Sequence, residues 1–405
     1  MMILSGKLII GRDLVTAGMK IEEGRIVEIS KQLTGKRLKG LILPAGIDVH
    51  VHLRDFEESH KETIRSGTLS ALHGGICLVV DQPNTRPFID SAEKYERRVR
   101  LAEKHLNVDY SLNMGLTRRN SDRINEIVGE LKEKGYNPAV GEVFLQHDNP
   151  EFQVDPEIVR DVEHLTTIHA ELPEFVESNE IPNFLHRDRR AEIEAVKKLA
   201  PLGRYFCHIS TRDAFETITP SPSLVEVTPH HLLLDSSEYE RLNGFVNVNP
   251  PLRERGDREF LLENFSRIDV LASDHAPHLP EEKERGASGY PGVETMYPLM
   301  MGLVFYGRVS VFEVVEKIAK NPAEIFGFEG YGEIRVGNYA NLAVFDISRV
   351  ERVRADSLHS LCGWTPFEGF PAIFPHTVVL RGEIVKEGDE AVEGLGEVYK
   401  SGSGF

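Results

Sequence analysis

The sequence predicts an α/β chain: a (β/α)8 TIM-type barrel with a small composite β-sandwich built from its two ends. Three observations predict it. The middle of the chain alternates apolar strand-like runs with helix-spaced segments about eight times, the rhythm of a closed parallel barrel. Both ends instead carry short alternating strands around Gly or Asn turns. Several histidines and an aspartate stand near the C-terminal ends of the predicted middle strands, where barrels place their chemistry.

Residues 1–43 form the first part of the sandwich. SGKLII, GMKIEEGRIVEI and KGLILPAG alternate apolar and polar residues between Gly-containing turns. The barrel covers 44–335. Its strands are read in GGICLVVDQPNT, VDYSLNMGL, AVGEVFLQ, TTIHAE, YFCHIST, SLVEV and DVLASDHAPH. Helical spacing marks SAEKYERRVRLAEKHL, with a Ser at its N-cap, then SDRINEIVGELKEKG, PEIVRDVEHL, RAEIEAVKKLAPLG and REFLLENFSR. A doubly wound sheet is the alternative on pattern alone. Residues 336–405 return to short strands in GEIRVGNYANLAVFDI and HTVVLRGEIVKEG, completing the sandwich because chain ends often lie close together. The tail VYKSGSGF reads as frayed.

The 405 residues carry a net charge of -17, with 40% hydrophobic and 27% charged residues. That is ordinary globular material. The acidic balance argues against a nucleic-acid partner, but leaves room for a small anionic substrate. Cys77, Cys207 and Cys362 are too few and too scattered for a disulfide framework and suit a reducing cytoplasm. The opening MMILSGKLII is too short and too soon interrupted for a signal peptide or a membrane span.

In DVHVHLRD, His50 and His52 alternate on a strand, so both imidazoles face one side. His169, His208 and Asp274 each stand near the end of a later apolar strand. Any one of these alone reads as a buried, hydrogen-bonded residue. Four imidazoles and a carboxylate at one barrel mouth read as a metal site, with donors that suit zinc first, then cobalt or manganese. His230 and His231 read as structural or supporting residues.

From Leu41 to about Leu380 the chain resembles the amidohydrolase superfamily, and within it the dihydroorotases. The resemblance is carried by DVHVHLRD, DQPNTRP, HAE, CHIST, EVTPHHL, NPPLR, SDHAPH, GVETMYPL, NPAEIFG and TPFEG, in that order. It implies one or two Zn2+ per chain, held by His50, His52, His169, His208 and Asp274. It also implies that Arg54 clamps a substrate carboxylate bidentately, as a guanidinium can. Asn84 and His278 would add donors to that carboxylate, and Asn249 would face the ring amides. The implied reaction is the reversible hydrolysis of L-dihydroorotate to N-carbamoyl-L-aspartate, on the route to UMP. In it, Asp274 takes a proton from water and hands it to the departing ring nitrogen.

The fourth strand departs from the family. Where many members carry a carboxylated lysine bridging two metals, this chain has Glu142. A glutamate reaches roughly 3–4 Å less from the backbone. Either the strand moves inward or the second metal is weak or absent, with His147 and Asp148 as reserve ligands. The loop 278–294 is polar and Gly-rich and could close over a substrate. Two rival readings remain: another cyclic amidohydrolase, of allantoinase or hydantoinase type, and an inactive partner of aspartate transcarbamoylase. Association with that transcarbamoylase is also open to an active enzyme.

Overall fold

The computed structural model of the chain describes residues 1–402. It opens with β1 (Met2–Ile10), β2 (Asp13–Glu22), β3 (Arg25–Ser30) and β4 (Lys36–Pro44). β1 and β2 pair antiparallel, as do β2 and β3, while β4 lies parallel to β1. Only Ala45 separates β4 from the barrel.

The barrel strands are β5 (Gly46–Val51), β6 (Ile76–Asp81), β7 (Asp109–Leu112), β8 (Val140–Phe144), β9 (Thr166–His169), β10 (Tyr205–Phe206), β11 (Leu224–Val227) and β12 (Val270–Leu271). They run parallel within two sheets, β5-β6-β7 and β8-β9-β10-β11-β12. Parallel bridges Met114–Val140 and Val51–His275 join the two, so the ring closes. β6 reads ICLVVD and β8 reads VGEVF, and every residue of both is buried. Strands covered on both faces have this near-continuous apolar character. Helices alternate with them. Helix 64–73 starts on a Thr63–Ser66 capping box, and helix 92–102 starts on Ser91, whose hydroxyl accepts from Lys94 N.

After the barrel the chain returns to its beginning. β13 (Leu342–Phe345) pairs antiparallel with β4, Leu342 opposite Pro44 and Phe345 opposite Leu41. Strands Pro375–Leu380, Glu383–Glu387 and Glu390–Ala391 follow. Among the described residues the two ends thus share one eight-stranded sheet, with a core of its own around Leu4, Leu8, Met19, Ile42, Leu342 and Val379. This is the composite β-domain expected from the two ends. No helix among the described residues is long and apolar enough to cross a membrane.

One expectation changes. The tail is fastened rather than frayed: Tyr110 N donates to Glu397 O at 2.9 Å, Tyr399 N to Tyr110 O at 2.8 Å, and Ser401 N to Gly135 O at 2.8 Å. It lies along β7 because Tyr110 has backbone groups free to pair there. Residues 403–405 of the tail lie outside the described residues. The loop 278–294 is held by hydrogen bonds. The buried Lys283 ammonium donates to the carbonyls of Asn247 (2.5 Å), Ala287 (2.7 Å) and Gly289 (3.0 Å), and Tyr290 Oη donates to Val246 O (2.5 Å). Its residues Ala287, Ser288 and Gly289 already line the cavity described below.

One buried ion pair binds the barrel wall to helix 92–102. Asp81 Oδ2 accepts from Arg98 Nε (2.9 Å), Arg98 Nη2 (2.7 Å) and Tyr110 Oη (2.9 Å), while Asp81 Oδ1 accepts from Leu53 N (3.0 Å). Both charged side chains are fully buried. Removing one partner strands the other charge, at a cost of about 3–5 kcal/mol. Arg98→Met is therefore expected to lower the denaturant midpoint well below wild type; an unchanged midpoint contradicts this reading.

Candidate active site

Each candidate ligand sits on or just past a barrel strand. His50 is on β5, His52 lies one residue past its end, and Glu142 is on β8. His169 ends β9, His208 lies two residues past β10, and Asp274 lies three residues past β12. Closing the ring turns these scattered positions inward. Glu142 Oε1 lies 2.7 Å from His208 Nε2 and 3.2 Å from His169 Nδ1. Its other oxygen, Oε2, lies 3.3 Å from His50 Nε2 and 3.8 Å from His52 Nε2. Asp274 Oδ1 is 3.1 Å from His52 Nε2 and 3.6 Å from His50 Nε2. Two donor groups, His50–His52–Glu142 and Glu142–His169–His208, therefore share one carboxylate.

The short glutamate reaches because its strand is irregular there. The β8–β9 register shifts between Val140 and Val143. A Cβ on Gly141 would stand 1.9 Å from Thr167 Oγ1 and 2.6 Å from the Thr167 carbonyl. Only glycine lets β8 press this closely on β9. The reserve candidates are not brought into the cluster. His147 lies against Phe144 and Phe152, and Asp148 accepts from Asn179 Nδ2. His231 is held by Thr228 Oγ1 and Pro250 O, and His230 stands edge-on to Tyr290.

The histidines are oriented from behind. His50 Nδ1 lies 2.9 Å from Glu226 Oε1, which also accepts from His208 N (3.0 Å), and Tyr205 Oη donates to Glu226 Oε2 (2.7 Å). His169 Nε2 lies 2.8 Å from Glu171 Oε2, which Arg187 Nη2 also reaches (2.5 Å). Asn84 Oδ1 accepts from His52 Nδ1 at 2.7 Å. Such partners fix tautomer and ring angle and raise ligand basicity. Sequence reasoning assigned no role to Glu226 or Glu171. The signal was there: an acid inside the apolar strand LVEV, and another two residues after His169 in HAE.

The electrostatics ask for positive charge at the center. Burial alone would lower the imidazolium of His169, yet hydrogen bonds to Glu142 and Glu171 push it up to about 9. Burial likewise opposes charge on His50, but Glu226 and Glu142 raise it well above its usual value. Burial would raise Glu142, and His50, His169 and His208 outweigh it and hold the carboxyl far below the usual range. For Asp274 burial is again outweighed, mainly by the hydrogen bond from His52, leaving it at about 2. Four imidazoles and two carboxylates this close form a nitrogen and oxygen donor set of the kind zinc, cobalt and manganese prefer. The residues fit a divalent metal. His208 Nδ1 is buried without a hydrogen-bond partner among the described residues.

A cavity of about 320 Å3 opens onto the cluster, walled by Arg54, Asn84, Asn249, His278 and Ser288. Arg54 is 7% exposed. Its Nε donates to Pro277 O (3.2 Å) and its Nη2 to His278 Nε2 (3.1 Å), and among the described residues no carboxylate pairs with it. Burial and the Arg54 charge push His278 down to about 3, so its ring is neutral. Asn249 Oδ1 accepts from Asn183 Nδ2 (2.8 Å). The carbonyl oxygens of Asn84 and Asn249 are thus both engaged, and their NH2 groups remain as donors at the cavity. Arg54, His208 and Asp274 have φ of 49°, 38° and 46°, conformations costing about 1–3 kcal/mol each that cluster at functional sites. Glu171→Gln is expected to weaken divalent-metal binding about 10–100-fold in a chelator competition titration. An affinity equal to wild type in the folded variant contradicts the orienting role.

A family model described as "Dihydro-orotase-like" matches residues 39–117. A dihydroorotase of Archaeoglobus fulgidus is 57% identical over 392 residues, covering 95% of this chain and 97% of that protein. One of Thermococcus kodakarensis is 37% identical over 408 residues, covering 97% and 96%. Among solved structures, an L-hydantoinase (dihydropyrimidinase) from Arthrobacter aurescens superimposes with a TM-score of 0.91 at 23% identity, covering 99% of this chain and 100% of that one. A D-hydantoinase (dihydropyrimidinase) from Thermus sp. gives 0.86 at 22%, covering 100% of both. At these identities the solved structures share the fold: a TIM barrel with a β-sandwich domain.

Proposed function

This chain belongs to the dihydroorotase family, and from that membership we infer a zinc-dependent hydrolase that interconverts L-dihydroorotate and N-carbamoyl-L-aspartate in pyrimidine biosynthesis. The observation that carries the substrate reading is Arg54, a buried guanidinium at a cavity wall that donates to Pro277 O and His278 and, among the described residues, has no carboxylate in ion-pair contact, Glu58 acting on it only from a distance. A buried cation with no carboxylate in contact is costly, and a substrate carboxylate would supply that contact. Hydantoins and allantoin lack that carboxylate, so Arg54 would serve them poorly.

His50, His52 and Asp274 would hold one zinc, His169 and His208 a second, and Glu142 would be shared. Zinc bound there would acidify a water and polarise the ring amide carbonyl. The protein's own contribution is to place and to move protons. Arg54 and His278 hold the carboxylate end, with the Asn84 amide beside them, and Asn249 turns its NH2 toward the ring. Asp274 accepts the proton of the attacking water and returns it to the ring nitrogen as the C–N bond breaks. The products are a new carboxyl group and a ureido nitrogen.

The new carboxyl ionises, so ring opening releases one proton near neutral pH. Lowering the pH by one unit should shift the equilibrium about tenfold toward ring closure. Measured ratios of the two compounds at pH 6 and pH 8 check this, and a ratio independent of pH contradicts the reaction. A cytoplasmic location suits three free, buried thiols. Association with aspartate transcarbamoylase would show as co-elution of the two proteins.

The test of function is absorbance-monitored turnover of L-dihydroorotate with and without zinc, in wild type and Arg54→Ala. Losing a charge-assisted clamp of about 3–4 kcal/mol lowers kcat/KM roughly 10²–10³-fold, with metal content unchanged. Greater activity on hydantoin or allantoin than on dihydroorotate contradicts the assignment.

A further inference from the structure

A second cluster of ligand-type side chains lies apart from the catalytic residues and off the cavity wall. His73 closes helix 64–73, Glu294 stands in the first turn of helix 293–305, and His359 follows the short turn 355–357. Their candidate ligand atoms lie within 4.8 Å of one another. His359 Nδ1 is 2.8 Å from Glu294 Oε1, and His359 N donates to Glu294 Oε2 at 2.8 Å. His73 is 8% exposed, and among the described residues neither ring nitrogen has a hydrogen-bond partner. His73 thus presents an imidazole free of other hydrogen bonds beside a carboxylate and a second imidazole.

We propose that His73, Glu294 and His359 form a divalent transition-metal site that locks the segment 355–364 onto the barrel. Two imidazoles and one carboxylate are a zinc-type donor set, and an open position can be taken by water. Burial keeps the His73 ring neutral, pushed down to about 3, which is the ligand form of histidine. Without metal, the proton on His359 that faces Glu294 occupies the metal's place, and the two rings stack with centroids 3.6 Å apart and 22° between planes. Metal replaces that proton, and the half-exposed His359 ring turns out of the stack so that the nitrogens converge. Lys386 also faces the trio, with its ammonium donating to Pro375 O at 2.6 Å.

The consequence reaches the substrate cavity. Ser360 Oγ donates to Glu62 Oε2 (2.5 Å), and Trp364 Nε1 donates to the carbonyl of His278 (2.8 Å). Metal at His359 therefore steadies a segment that holds His278, which in turn contacts Arg54.

The test counts ions. Full-length wild type, His359→Ala and His73→Gln are stripped with chelator, dialysed to equilibrium against Zn2+ and measured by plasma mass spectrometry. Wild type is expected to hold one ion per chain more than either variant, whatever the number at the catalytic cluster. His359→Cys, which replaces one ligand with another, should restore the count, and both loss variants should keep turnover at saturating zinc. Because His359 stands on a half-exposed loop, its variants decide the matter even where His73→Gln does not fold. Equal ion counts in wild type and folded His359→Ala overturn the proposal, as does a His359→Cys protein that holds no more zinc than His359→Ala.

Discussion

One buried carboxylate organises this molecule. Glu142 places one oxygen against His169 and His208 and the other against His50. A carboxylate in the middle of a barrel is tolerable only when surrounded by positive charge or strong donors, and the fold provides them from three other strands. That requirement reaches outward. The imidazoles facing Glu142 need partners of their own, and Glu226, Glu171 and Asn84 supply them from behind. Glu171 in turn needs Arg187, which is fully buried beside it. The polar network continues from there to Asn179 and Gln146, whose side-chain oxygens accept from Arg187.

The cavity is polarised along its length. At the bottom stand the carboxylates and imidazoles suited to a divalent ion. At the wall stands Arg54, held by Pro277 and His278, with the Glu58 charge nearby and no carboxylate in contact among the described residues. A ligand with a carboxylate at one end and a hydrolysable amide at the other satisfies both poles at once. The net charge of -17 does not oppose this, because recognition of so small an anion depends on local cations and not on the summed field. The loop 278–294 supports the arrangement by being tied down. Lys283 gathers three surrounding carbonyls, which holds the loop beside the wall that carries His278.

Much of this was legible in the residues. The eight alternations, the β-rich ends and the HxH spacing rest on strand and helix periodicity, which is local. The meeting of β4 with β13 followed from the pattern of the two termini. What escaped depends on contacts distant in sequence. The reach of Glu142 rests on Gly141 against Thr167, a packing detail that no motif announces. Glu226 and Glu171 looked like single acids in apolar strands, and only the closed ring shows which imidazole each one faces. The tail read as frayed from its Ser and Gly content, yet it pairs along Tyr110 because β7 leaves backbone groups there to be met.

The shared carboxylate is tested most directly by anomalous diffraction at the zinc edge from crystals grown with zinc. The account predicts two anomalous peaks in the barrel, one on each side of the Glu142 carboxylate, with His50 and His52 at the first and His169 and His208 at the second. A single peak with Glu142 turned away from it would contradict the account.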